Sequence, residues 1–587
     1  MTETSSERAS SARATMTGLE RVADLAGSTT VNGIPVLFAH GDGPVTGGVL
    51  FRVGWADEPL ARAGITHLVE HLALFGQSSS QVHHNGRTDA LTTSFHATGT
   101  EEEVVGFLNR LGEALSELPL ERMEVEKEIL RTEASRRGYA PRTRLMIERY
   151  GARGLGLLGF EGFGLNAVET DDVREWVEEK FTRGNAVAWI TTAALPPGLD
   201  LRLPEGGRVG APEWSELPTT RPAWFVGPEG VVLVDAVIPR SMAGLVFARV
   251  ASRMLFRQLR EEGGLSYTAE CEYAPRDDKT ASVTILADAL PEKQVAVMTG
   301  VIDVLTALRE GQVDERDVGE ARHSLVRSWE IPAAGAALLP STAWNLLLAS
   351  EILGPDDLIR DVQEVEVADV VRVAHEVWTD ALAQIPEGEL YDAGLTPLPL
   401  WSSSAVTGRP HPRIGEKHGM LVISDEGITA QEQAGVVTVL YDACLALERW
   451  PDGARRLTGE DGFRITVEPT LHANIDGDVV SAIDAAVPAR RHVERPPRNP
   501  DSIPRPRHVP QPTPMPAATD HLGYFWLFLP AILLGAVGLV GFVAAGADLI
   551  AKGVSPLGLT GFLFPVGLIA VGSILYLAYR RRRRRRR

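Results

Sequence analysis

Cysteine is nearly absent: Cys271 and Cys444 are the two in 587 residues. A disulfide scaffold is thereby excluded, and the composition suits a reducing compartment. Residues 1–18 are small and polar and lack the apolar stretch of a secretion signal, so they read as a disordered leader. Positive charge is scarce over most of the chain. The net charge is -19 even though the chain ends in eight arginines, 580–587, so the rest is more acidic still. An acidic body argues against nucleic acid as a partner, because that binding rests on neutralising phosphates. The Gly-x-Gly of residues 41–43 has no helix after it and reads as a hairpin turn, not a phosphate loop. No collagen or coiled-coil pattern is present. Apolar residues at 44% and charged residues at 23% are globular values, and the length suits roughly three to four domains of ~150 residues.

What is present reads as an α+β protein of tandem parts. Residues 19–200 alternate β-branched runs (31–38, 45–53, 186–192) with helical stretches (64–75, 101–117, 121–137, 169–181). After a linker at 201–221, residues 222–385 repeat the alternation, with strands at 231–237, 267–273 and 280–286 and helices at 243–260 and 292–308. Two successive units of similar size suggest a duplication. Residues 386–412, rich in Pro, Ser and Gly, read as a linker. Residues 413–488 then read as a small β-rich module closing on a helix at 479–487, with 453–462 as a hairpin turn. Its layout resembles a pleckstrin-homology-like barrel, which implies lipid or peptide binding or a spacer role. Residues 489–521 are proline-dense and read as a semi-rigid linker.

The long apolar runs come last. Residues 522–547 and 553–579 carry no charged side chain, and each exceeds the ~20 apolar residues a helix needs to cross a bilayer. They are expected to form a transmembrane hairpin over 522–579. The terminal arginines and Arg505 and Arg507 flank the spans, whereas the short loop holds Asp548 and Lys552 alone as charges. The positive-inside rule then places both termini, and the acidic body, in the cytoplasm. The expected location is a cell membrane spanned twice, with the arginine tail free to bind anionic lipid as well.

The chemistry is carried by His67-Leu-Val-Glu70-His71. Two histidines at i and i+4 share a helix face and can converge on one metal ion, with Glu70 beside them. A zinc ion held by three protein ligands keeps a position for water and lowers its pKa toward ~7, and a neighbouring carboxylate can shuttle the proton. A third ligand is needed. The helix over 121–137 is rich in carboxylates, with Glu126 and Glu133 two turns apart on one stripe; such a stripe is also what a solvated acidic face looks like. His83 and His84 read as exposed residues of a polar loop.

H-x-x-E-H followed by Glu126-Lys-Glu-Ile-Leu-Arg-Thr-Glu133 resembles the inverted-zincin signature of the pitrilysin/insulinase metallopeptidases, which include mitochondrial processing peptidase. The resemblance spans about residues 19–385. It implies one Zn2+ per chain on His67, His71 and Glu133, Glu70 as catalytic base and Glu126 as the carboxylate behind the ligands. Glu133 follows His71 at a shorter distance than is usual in the family, which keeps Glu128 open as a ligand. Leu259-Arg260-Glu-Glu-Gly-Gly-Leu265-Ser-Tyr267 is similar to the family's C-terminal segment, implying that Arg260 and Tyr267 hold substrate or stabilise the intermediate. Residues 89–94 are similar to the family's edge strand, implying that Asp89, Ala90 and Thr92 bind substrate backbone. The expected protein is a membrane-anchored, cytoplasm-facing zinc endopeptidase acting on peptides. It is expected to work as a dimer with itself or a related subunit. The competing reading is a non-catalytic, peptidase-like scaffold tethered to the membrane.

Overall fold

The computed structural model describes residues 26–506 except 78–82, 138–140, 213, 331–332, 387–393 and 417. The chain divides into a unit of residues 1–506 and a second of 507–587. The leader at 1–18, the expected hairpin at 522–579 and the tail at 580–587 lie outside the described residues. Among the described residues no helix is long and apolar enough to cross a membrane.

Strands β1 (Gly27–Val31), β2 (Ile34–Phe38), β3 (Val45–Phe51), β4 (His83–Thr88), β5 (Thr93–Gly99) and β6 (Ala186–Ile190) form one sheet in the order β1-β2-β6-β3-β5-β4. The β-branched run at 31–38 is broken into β1 and β2 by the Asn32-Gly33 turn, both residues having positive φ. All five residues of β6 are buried, because the sheet is covered on both faces. One face carries helices α1 (Ile65–Leu74), α2 (Glu101–Ser116), α3 (Met123–Arg137) and α5 (Thr170–Lys180), packed on Phe51, Phe95 and Ile190. Between α3 and α5 runs α4 (Arg142–Tyr150). A capping box starts α2: the Glu103 amide donates to Thr100 Oγ1 at 3.3 Å and the Thr100 amide to Glu103 Oε2 at 2.7 Å.

The second half repeats the first. Strands β7 (Ala223–Val226), β8 (Val231–Pro239), β9 (Ala269–Pro275), β10 (Thr280–Asp288), β11 (Leu382–Ile385) and β12 (Thr396–Pro397) take the order β12-β7-β11-β8-β10-β9. In both sheets the second and third strands pair in parallel, β2 with β6 and β7 with β11, and in the second sheet β12 also joins β7 in parallel. Five strands therefore correspond one to one, and the outermost differs: β1 precedes its half, whereas β12 follows. The helices are α6 (Met242–Leu255), continued by a π turn over Phe256–Glu262, then α7 (Gln294–Arg309), α8 (Glu315–Trp329), α9 (Ala334–Leu347), α10 (Pro355–Gln363) and α11 (Val367–Thr379).

The halves exchange helices. Leu339, Ala343, Leu346 and Leu347 of α9 cover the outer face of the first sheet on Leu37, Leu50 and Val187. Leu145 of α4 sits reciprocally among Ala223, Phe225, Leu233 and Leu382 of the second sheet. Arg149 ends α4 fully buried, its Nε 2.9 Å from Asp235 Oδ2 and Nη1 2.7 Å from Asp380 Oδ2. The stretch expected as a linker at 201–221 forms no helix or strand in its described residues and supplies Glu216 and Arg221 to this network.

The β-rich module is larger than its sequence boundaries. β13 (Arg409–Pro412), β14 (Met420–Ile423), β15 (Gly427–Gln431) and β16 (Val436–Leu440) form one antiparallel sheet. β17 (Cys444–Arg449), β18 (Arg455–Gly459), β19 (Arg464–Val467) and β20 (His492–Glu494) form another in the order β19-β18-β17-β20, with α12 (Gly477–Ala486) packed on the core through Ile483. Two corrections follow. The linkers expected at 386–412 and 489–521 contribute β12, β13 and β20, and the hairpin turn expected at 453–462 contains strand β18.

Candidate metal centre

On α1, Ile65, Leu68, Val69, Leu72 and Ala73 are buried in the first core, which fixes the rotation of the helix and turns His67 and His71 toward α3. The two rings lie 4.9 Å apart at 84°. From α3, Glu133 Oε2 stands 3.9 Å from His67 Nε2 and Oε1 3.6 Å from His71 Nε2. One donor atom from each of the three lies within 4.8 Å of the others. Ligands on a tetrahedron of ~2.0–2.1 Å bonds are separated by roughly 3.3–3.5 Å, so two imidazoles and a carboxylate at these spacings fit zinc with small adjustments. Glu128 points away and pairs with Arg131 at 3.0 Å; Glu133 is the carboxylate that meets the histidines.

Behind the ligands, Glu126 is buried and its Oε2 lies 3.3 Å from His71 Nδ1. An ionised carboxylate only accepts, so the proton belongs on Nδ1 and the Nε2 lone pair is left for a metal. Arg122 donates to Glu126 Oε1 at 2.9 Å and stacks on Phe75 at 4.0 Å. Glu70 is buried beside the histidines, and Thr88 Oγ1 donates to its Oε2 at 2.7 Å. Opposite stands Gly86, where a Cβ would come within 2.7 Å of Glu70 Oε1 and Cγ. A glycine is therefore what lets β4 lie against this carboxylate. The motif alone gave no signal for Thr88, Gly86 or Arg122.

Strand β4 ends its sheet, so among the described residues no strand pairs with its outer edge. Residues 89–94, expected as that edge, are a correction: 89–92 form the turn into β5. The Asp89 amide donates to Thr92 O at 2.9 Å, and the Asp89 and Ala90 carbonyls accept from Trp55 and Ala56 at 3.1 and 3.0 Å. These four backbone groups are committed, and Thr92 is buried. His83 and His84 belong to β4 instead of a loop. His83 is exposed as expected, whereas His84 is half-buried with its ring 5.5 Å from that of Phe107.

Arg260 and Tyr267 are brought together, the guanidinium 4.7 Å from the phenol ring and 5.0 Å from that of Phe256. Asp288 accepts the Tyr267 and Thr268 amides at 2.8 and 2.7 Å and fixes the loop. Tyr267 is 76% exposed, and neither residue lines the cavity at the histidines.

That cavity measures about 360 Å³ and lies between α1, α3, β4 and a 3-10 turn at Gly154–Phe160. Its apolar wall is Leu130, Leu157, Leu158, Phe160 and Leu165, and its charged groups include Glu58, Glu70 and Glu161. Glu58 accepts the Gly64 and Thr66 amides at 2.6 and 2.8 Å, in place of a cap at the start of α1. Burial outweighs these bonds and pushes its carboxyl up to about 7.

No family model and no curated protein matches the sequence. Solved structures do match the fold. A protease from Helicobacter pylori is similar at TM-score 0.54 and 15% identity, covering 62% of this chain and 99% of that one. A peptidase M16 inactive domain from Pseudomonas fluorescens is similar at TM-score 0.53 and 13% identity, covering 64% and 100%. A chain of complex III2 from Candida albicans, bound to Inz-5, is similar at TM-score 0.51 and 15% identity, covering 62% and 95%. At such identities the likeness is one of fold, an M16-like (pitrilysin-like) fold.

Proposed function

We propose that the chain is a zinc endopeptidase. The observation that carries this is the meeting of His67, His71 and Glu133, from two separate helices, beside the buried carboxylate of Glu70. The three residues would hold the ion, and zinc bound there supplies a Lewis acid and makes water a nucleophile at neutral pH. Glu70 takes the proton of the attacking water and returns it to the leaving amine, with Thr88 fixing the oxygen it does not use. Glu126 holds the His71 ring in the ligating tautomer. The free edge of β4 receives the peptide backbone as an added strand, which selects extended or unfolded segments. The cavity, apolar on the side of Leu157, Phe160 and Leu165, receives one side chain of that peptide. Arg260 and Tyr267, exposed on the second half, are free to act at the site of a second copy or a related subunit. The uncharged runs over 522–579 and their arginine flank support attachment to a membrane with the body on the cytoplasmic side.

The test uses the full chain in mild detergent. Glu70→Gln should lower peptide cleavage by at least ~10²-fold while keeping about one zinc per chain. Unchanged cleavage in that variant would sink the mechanism. A scaffold of the same fold has a counterpart in the inactive M16 domain of Pseudomonas fluorescens. It predicts zinc below about a tenth of an equivalent in the unaltered chain.

A further inference from the structure

We infer that the β-rich module is a positioning element for the cavity beside the His67, His71 and Glu133 cluster. It holds the segment from Gly154–Phe160 through residue 165 in place as a cavity wall, and so sets which apolar side chain fits. The inference deepens the peptidase reading and rests on it for the identity of the occupant.

The wall segment begins GLGLLGF, a 3-10 turn with three glycines, and has little conformational preference of its own. Its shape must be imposed by what it packs on. On the inner side Leu157, Phe160 and Leu165 line the cavity that holds His67 and Glu70. On the outer side Leu157 and Phe160 share a core with Leu60 and Ala61 of the first half and with Ala446 and Val493 of the module. Phe160 is 3% exposed and belongs to both surfaces, so it cannot move in one without moving in the other.

Charged contacts fasten the same segment. The Arg464 guanidinium lies 4.7 Å from the Phe160 ring, and that of Arg495 lies 4.6 Å from Phe163. Glu448, 4% exposed, accepts from Arg495 Nε at 2.9 Å, which aims that guanidinium at the ring. The Ala152 amide donates to Glu460 O at 3.0 Å, and Arg153 pairs with Glu460 at 3.2 Å. Val493 and Arg495 come from β20 and the residue after it, the strand added in parallel beside β17. A spacer needs no such contacts. These converge on the turn that closes the cavity.

The experiment combines Arg464→Ala with Arg495→Ala in the full chain. Amide exchange over 154–165 should accelerate by about tenfold, while β18, α12 and α1 keep their protection. The ratio of kcat/KM between peptides carrying Ala and Trp beside the scissile bond should shift by about tenfold, with zinc content unchanged. Lysines at both positions keep a cation over each ring and should restore both readouts. Phe163→Leu, which removes one stacked ring from outside the cavity, should reproduce the exchange effect and guards against a double variant that fails to fold. Unchanged exchange over 154–165 overturns the inference. So does an unchanged peptide ranking despite faster exchange, or a loss of protection throughout the module. Failure of the peptidase reading looks different: the unaltered chain then lacks zinc and cleaves none of the peptides, while exchange still reports whether the module holds the wall.

Discussion

Glu70 is constrained from two sides, and each constraint makes a prediction about a single side chain. Thr88 binds one carboxylate oxygen at 2.7 Å, and a methyl group at Gly86 would intrude to 2.7 Å from the other. Gly86→Ala must therefore push β4 and Glu70 apart. Displacements of ~1 Å cost on the order of 10²-fold in rate when a catalytic group is involved. Peptide cleavage should fall by about that factor while metal analysis still finds zinc, because the three atoms nearest to the added methyl all belong to Glu70. Glu58 tests the neighbouring end of α1. Its carboxyl titrates at about 7 in the fold and at its ordinary value of 4.5 when unfolded, because burial disfavours the charge. The folded state thus holds the proton more tightly. The stabilisation is complete below pH 4.5 and is lost as the pH rises from there through about 7, by about 3 kcal/mol in all. Glu58→Gln cannot ionise, so urea unfolding at pH 5 and pH 8 should show the variant gaining on the unaltered chain by about 2.5 kcal/mol, part of the loss having already occurred by pH 5. A constant difference across this range would contradict the assignment.

Elements differ in how plainly their residues announce them. α1 is legible because its apolar residues recur with helical spacing and leave both histidines on one face. α3 is not: its buried residues are Glu126, Lys127 and Leu130, and Lys127 is accommodated by its Nζ donating to Val168 O at 2.7 Å. By composition α3 is a solvated acidic helix, and the family resemblance alone implied Glu133. β4 reads HHNGRT, without apolar alternation, because an edge strand with one face on a carboxylate buries no apolar side chain. β20 is three residues long in a proline-dense stretch, and its pairing partner lies over 40 positions away. The roles of α4 and α9 are equally hidden, since the sheet each covers belongs to the other half. Arg149 at the end of α4 shows the energetic consequence. It is fully buried against Asp235 and Asp380, with Glu216 at 3.1 Å. Arg149→Ala would leave Asp235 without a cation in the interior, while Asp380 and Glu216 keep Arg221. It should destabilise the fold by about 3–5 kcal/mol in chemical denaturation.

At the scale of the molecule, the helix exchange determines how the body comes apart. Each half has its own sheet and its own core, so a duplicated chain of this size would by default unfold in two steps. Here neither sheet keeps its outer face covered once the other half is lost. Without α9, Leu37, Leu50 and Val187 are bared; without α4, Leu233 and Leu382 lose Leu145. The Arg149 network, with Arg221 and Glu216 from the connecting segment, adds buried charges that are satisfied only when both halves are present. The two halves should therefore open as one cooperative unit. In native-state exchange under rising denaturant, amides of β6 and β11 should merge onto one opening free energy. Leu346→Ala in α9 creates a cavity against the first sheet and should cost about 2–5 kcal/mol. If the halves are coupled, that loss appears equally at β11, which Leu346 does not touch. A loss confined to β6 would show two independent domains, and the pseudo-symmetric exchange of α4 and α9 would then be packing without cooperativity.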